Sequence, residues 1–199
     1  MPFGPGHDPS SGWEAAAPWF IQHAAGSTIG VASIRRWSER LGPGATILEL
    51  GCGPGGPRSD ALRAPGRRFH ALDASPTLLA AYQRRYPDAV VTLGAAQHAT
   101  LDGGPFDGIV AWGLLFLLSP EDQALLLERA AGVLSAHGRL LFTAPAEACT
   151  WADATTGRPS CSLGRAGYEA ILARCGLRVA GTELDEGENH YYDVTHTTP

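Results

Sequence analysis

Residues 46–56 read Thr-Ile-Leu-Glu-Leu-Gly-Cys-Gly-Pro-Gly-Gly, a short apolar run stopped by a glycine-rich turn. A second apolar run ends at Asp73, twenty residues beyond Gly53. Glycines at the end of a strand let the backbone turn tightly and approach a ligand with no Cβ in the way. A carboxylate closing the neighbouring strand accepts hydrogen bonds from both hydroxyls of a ribose. Together they predict a site for a nucleotide-like cofactor beyond the carboxyl ends of the strands.

The turn itself reads two ways. Gly51, Gly53 and Gly56 satisfy the dinucleotide fingerprint GxGxxG, while Glu49, Gly51, Gly53 and Gly55 satisfy ExGxGxG. Glu49 would stand beside the ligand, where a carboxylate suits a cation better than a pyrophosphate. The turn also lies behind two predicted helices, and too little chain follows for a second nucleotide half plus a substrate domain. These points favour the second pattern. An NAD(P)-dependent oxidoreductase resting on GxGxxG alone stays as an alternative.

Aromatic residues near strand ends supply walls for a planar substrate, and an aromatic face also favours a cationic group. Trp13, Trp19 and Phe20 lie on the first predicted helix, Trp112 ends the fourth strand and Trp151 follows the fifth. Trp13 and Trp151 are read as substrate-pocket walls; Trp19 and Phe20 suit packing under a cover equally well. The polar candidates are His98 and the run 189–193. Alternation along a strand puts His190 and Tyr192 on one face and Tyr191 and Asp193 on the other. His98 and Tyr192 are assigned to the substrate pocket. His190, which titrates near neutrality, is the candidate general base.

Cys52, Cys149, Cys161 and Cys175 show no CxxC spacing, so no metal site and no disulfide framework is expected. Reduced thiols, with no basic segment followed by an apolar one at the N-terminus, predict a cytoplasmic protein. The chain has 199 residues, net charge −5 and no lysine. Such a charge argues against nucleic-acid or anionic-membrane partners, and the longest apolar run, 108–118, is too short to span a bilayer.

The elements that must hold these residues alternate. Residues 1–12, rich in Pro, Gly and Ser, predict a flexible arm, and 13–199 a single domain. Helical spacing over 13–25 and 30–41 predicts a cover over the site. Strands are expected at 46–50, 67–72, 89–93, 106–112 and 138–144. Helices are expected to open at Ser75-Pro76 and Ser119-Pro120, the second stopping at Gly138, and to run over 164–175. Two extended runs, 177–184 and 190–195, flank a polar turn that predicts a hairpin. The result is an α/β, Rossmann-like, doubly wound sheet, mostly parallel with the last strand antiparallel.

With these motifs in this order, the chain resembles the class I S-adenosylmethionine-dependent methyltransferases over about residues 13–195. The family's first motif matches Glu49-Leu-Gly51-Cys-Gly53-Pro-Gly55, and its acidic end of strand two matches Asp73. Its fourth-strand signature matches Phe106–Trp112, and its fifth-strand pattern matches Gly138–Ala144. The resemblance implies seven strands, S-adenosylmethionine as cofactor and S-adenosylhomocysteine as product. It implies cofactor contacts at Glu49, Gly51, Cys52, Gly53, Gly55, Asp73, Ala74, Ala96, Gln97 and Trp112. One departure is visible: the family's Gly-Asp after strand three is here Gly94-Ala95, so Gln97 or a backbone carbonyl must serve the adenine amino group. The activity expected is methyl transfer to a small-molecule acceptor by a monomer or homodimer. A non-catalytic domain that binds S-adenosylmethionine or S-adenosylhomocysteine is the alternative.

Overall fold

A computed structural model describes residues 9–23 and 26–197, so most of the predicted arm, and the end of the first predicted helix, lie outside the described residues. Two helices, α1 (Trp13–His23) and α2 (Val31–Ser38), precede strand β1 (Thr46–Leu50). There follow α3 (Pro57–Leu62), β2 (Arg68–Asp73), α4 (Pro76–Arg85), β3 (Val90–Leu93) and β4 (Phe106–Ala111). The second half contains α5 (Pro120–Val133), β5 (Leu134–Thr143), β6 (Ala148–Ala152), β7 (Pro159–Leu163), α6 (Gly164–Arg174), β8 (Leu177–Leu184) and β9 (His190–His196).

Seven strands form one sheet in the order β3-β2-β1-β4-β5-β9-β8. All neighbouring pairs are parallel except those of β9, which runs antiparallel to both β5 and β8. This is the mostly parallel seven-stranded fold expected. The order reverses between β1 and β4, which opens a crevice at their carboxyl ends.

Alternation along the strands feeds two cores. Ile47, Phe69, Val110, Leu141 and Tyr191 pack under α2, α3 and α4. Leu48, Leu72, Ile109, Phe142 and Tyr192 pack under α5 and α6. Local signals open the helices: Ser75 Oγ accepts from Leu78 N at 3.1 Å and Ser119 Oγ from Asp122 N at 3.1 Å, each with a proline at the first helical position. The cover is tied down by acids. Glu14 on α1 accepts from Ser75 Oγ, from Thr77 N at 3.1 Å and from Thr77 Oγ1 at 2.6 Å, at the amino end of α4 where the helix dipole favours an anion. Buried Asp193 accepts from Trp37 Nε1 at 3.0 Å and from Arg40 and Arg139, which fastens α2 to β9.

Two expectations are corrected. The fifth helix stops at Val133, not at Gly138, and β5 begins at Leu134. An irregularity in the β4–β5 ladder lets Phe106 pair with Leu134 and Gly108 with Arg139. Gly138 fills that corner, where a Cβ would lie 2.8 Å from both Leu134 Cδ1 and Phe106 O. Between 144 and 164, where the sequence pattern predicts no element, β6 and β7 form a separate hairpin. β6 is largely exposed and the buried positions of β7 are the polar Ser160 and Ser162, so no apolar alternation marks the hairpin.

Candidate active site

The glycine turn and Asp73 open onto one cavity of about 330 Å³, a volume within the range of small-molecule sites. Its floor is the carboxyl ends of β1, β2 and β4, through Leu50, Leu72 and Val110. Trp13, Phe20 and Ile34 of α1 and α2 roof it, Leu114 and Phe116–Leu118 form one flank, and Asn189 reaches it from the β8–β9 turn.

The corner is built from the backbone outward. Gly53 has φ +57°, and a Cβ built there meets nothing closer than Phe20 Cε1 at 4.0 Å, so it faces open cavity. Gly55, at φ +74°, has a different reason to be glycine: a Cβ there would lie 2.5 Å from Tyr86 Cε2. Asp73 braces the corner from the next strand. Its Oδ2 accepts from Gly53 N at 2.8 Å and its Oδ1 from Ser75 N at 2.8 Å. A carboxylate has about four lone-pair sites, so acceptor capacity remains for a ligand beyond these amides. Desolvation raises the Asp73 pKa, against the lowering effect of those amide bonds.

Glu49 lies below the corner and is buried. It accepts from Ser59 Oγ at 2.7 Å and from Tyr82 Oη. Burial pushes its carboxyl above the ordinary range, partly offset by the Tyr82 and Ser59 bonds. The stability consequence has a definite sign. The folded chain holds this proton more tightly than the unfolded chain, so the contribution is full below the ordinary value of 4.5 and is lost as pH rises through the raised value. Glu49→Gln, which stays uncharged, is expected to flatten that decline; melting temperatures of both proteins between about pH 4 and pH 8 check it.

The structure brings Glu49, Gly51, Cys52, Gly53, Gly55, Asp73, Ala74, Ala96, Gln97, Trp112 and Trp13 around this cavity. Burial, with Asp73 and Glu49 nearby, pushes the Cys52 thiol up, so it stays protonated. Four other predicted residues stand elsewhere. Tyr192 is fully buried, stacked on Phe142 with ring centres 4.6 Å apart, and burial pushes its phenol up to about 12. His190 shares that strand face, edge-on to Tyr192 at 4.6 Å, and burial and Arg165 lower its pKa. The face carrying both points at the α6 core, so His190 does not line the cavity as a base would have to. His98 Nε2 is 3.8 Å from Asp122 Oδ1, also outside the lining. Trp151, on the unforeseen hairpin, packs behind the cavity against Phe116, with ring centres 5.5 Å apart.

Arg58 and Phe116 line the cavity and were not singled out from the sequence. Arg58 sits in a helix of six residues, too short to show a periodic pattern. Its position two residues past the glycine corner was the available signal.

A seven-stranded, mostly parallel sheet of this order is the class I methyltransferase fold that the resemblance implied. The family profile described as "Methyltransferase domain" matches residues 47–138, from β1 into β5. The CcbJ methyltransferase from Streptomyces caelestis has a similar structure, with TM-score 0.72 and 14% identity over 96% of this chain and 100% of that one. The Burkholderia thailandensis 1,6-didemethyltoxoflavin-N1-methyltransferase, holding 1,6-didemethyltoxoflavin and S-adenosylhomocysteine, gives TM-score 0.70 and 17% identity over 100% and 93%. A TehB-like S-adenosylmethionine-dependent methyltransferase from Corynebacterium glutamicum gives TM-score 0.67 and 22% identity over 95% and 100%. Identities this low carry the fold alone. No protein of curated function matches by sequence.

Proposed function

We propose that the chain transfers a methyl group from S-adenosylmethionine to a small-molecule acceptor. The observation that carries this reading is that one cavity joins the bare corner at Gly53, the braced Asp73 and an aromatic wall of Trp13, Phe20, Trp112 and Phe116. When bound, S-adenosylmethionine supplies a methyl carbon that an acceptor lone pair takes, while the broken carbon–sulfur bond's electrons return to sulfur. The residues' part is to hold and align. The corner receives the cofactor backbone-first, Asp73 takes the ribose hydroxyls through its remaining lone pairs, and Glu49 offers a carboxylate on the cationic side. Aromatic faces stabilise a sulfonium and exclude water.

No histidine, tyrosine or lysine is among the described residues lining the cavity. Each lining carboxylate already accepts hydrogen bonds from the chain. Catalysis therefore rests on alignment of the two partners, with the acceptor's proton passing to water. The same lack favours a second reading, a domain that holds S-adenosylmethionine or its product without turnover. Incubation with S-adenosylmethionine and a broad panel of amines, phenols, thiols and acids decides between them. Acceptor-dependent formation of S-adenosylhomocysteine supports transfer; binding with none formed supports the second reading. We place this activity in the cytoplasm and expect neither nucleic acid nor membrane as a partner. Among the described residues no helix is long and apolar enough to cross a bilayer.

A further inference from the structure

Arg58 places a cation in the lining of the cavity. Its guanidinium lies 3.7 Å from the centre of the Trp112 ring, and its Nη1 donates to Ile29 O at 3.3 Å. Among the described residues it makes no ion pair. Asp185, the carboxylate whose charge acts on Arg58, makes its hydrogen bonds elsewhere: Oδ1 accepts from Gly187 N, Asn189 N and Asn189 Nδ2, and Oδ2 from Asn189 Nδ2 and Tyr191 Oη. Tyr191 Oη in turn accepts from Trp112 Nε1 at 2.6 Å, which locks the ring on which Arg58 lies. The network thus presents a fixed, flat cation to the cavity and satisfies its own acid internally.

A partly desolvated guanidinium without an ion-pair partner is costly, and the geometry it offers best fits the two oxygens of a carboxylate. Location says whose carboxylate. The groups around Arg58 come from residues 29, 112, 185 and 191, on the side roofed by the cover and the β8–β9 turn. The corner, Asp73 and Ala96-Gln97 lie on the β1–β3 side. Trp13 adds a second donor: it lines the cavity, and its buried Nε1 has no partner among the described residues.

Building on the methyltransferase reading, we propose that Arg58 recognises a carboxylate on the methyl acceptor, and that the acceptor is a planar aromatic acid. The acid anchors against Arg58 on Trp112, the ring packs among Trp13, Phe20 and Phe116, and a nucleophilic substituent is left facing the corner.

Calorimetry with S-adenosylhomocysteine already bound tests it, using 4-hydroxybenzoate, anthranilate and salicylate, each against its neutral amide. The wild type is expected to bind at least one acid tenfold or more tightly than its amide. Arg58→Met is expected to erase that preference while keeping S-adenosylhomocysteine affinity within about twofold, and Arg58→Lys to restore part of it. A panel with no acid preference in the wild type overturns the proposal. So does an Arg58→Met protein that loses S-adenosylhomocysteine but keeps 5′-methylthioadenosine, which lacks the amino-acid tail; the cation would then serve the cofactor. Absence of S-adenosylhomocysteine binding by the wild type is a separate result, and removes the methyltransferase reading itself.

Discussion

Gly53→Val is expected to abolish cofactor binding, by a hundredfold or more, and to leave a folded protein. At φ +57° the backbone favours glycine, and a side chain there costs about 1–2 kcal/mol of stability. A Cβ at this site meets only open cavity, with Phe20 Cε1 4.0 Å away, so the valine methyls would occupy ligand space. Gly55→Ala is the matched control with the opposite balance. Its new Cβ would press on the Tyr86 ring at 2.5 Å, and Tyr86 Oη donates to Asp60 Oδ1 at 2.6 Å and accepts from Gly56 N at 3.2 Å. Overpacking of this kind adds about 1–3 kcal/mol to the backbone strain. Denaturant midpoints and calorimetric affinities on both variants separate a ligand glycine from a packing glycine. If Gly53→Val unfolds as readily as Gly55→Ala, the corner is structural and not a ligand contact.

Asp73→Ala is expected to weaken S-adenosylhomocysteine by about 1–3 kcal/mol, roughly 5- to 150-fold, the scale of a lost charged acceptor. Two causes act together. The ribose loses its carboxylate, and Gly53 N and Ser75 N lose the oxygens that hold them at 2.8 Å each. Asp73→Asn keeps one acceptor oxygen and is expected to fall between wild type and alanine. Affinity unchanged in the alanine protein would remove Asp73 from the site.

Much of the glycine corner and its surroundings was legible because their signals are local. Glycines at a strand end, a serine–proline helix start and an acid closing the next strand each act through a few neighbouring residues. The β8–β9 hairpin was legible for the same reason. The rest of the cavity lining was not, because it depends on how distant elements face one another. Alternation correctly paired His190 with Tyr192 and Tyr191 with Asp193, but it does not say which pair meets the site. It is Tyr191, through Trp112, that reaches the cavity edge, while His190 joins the α6 core. Trp151 sits on a largely exposed strand, and Arg58 on a helix too short to show a period. Gly138 read as a helix stop because a glycine filling a ladder irregularity carries the same letter.

The most direct measurement is calorimetric titration of the wild-type chain with S-adenosylhomocysteine and, separately, with NADPH. Saturable binding of S-adenosylhomocysteine, lost in Gly53→Val, with no heat from NADPH, is the result expected. Binding of NADPH with none of S-adenosylhomocysteine would contradict it.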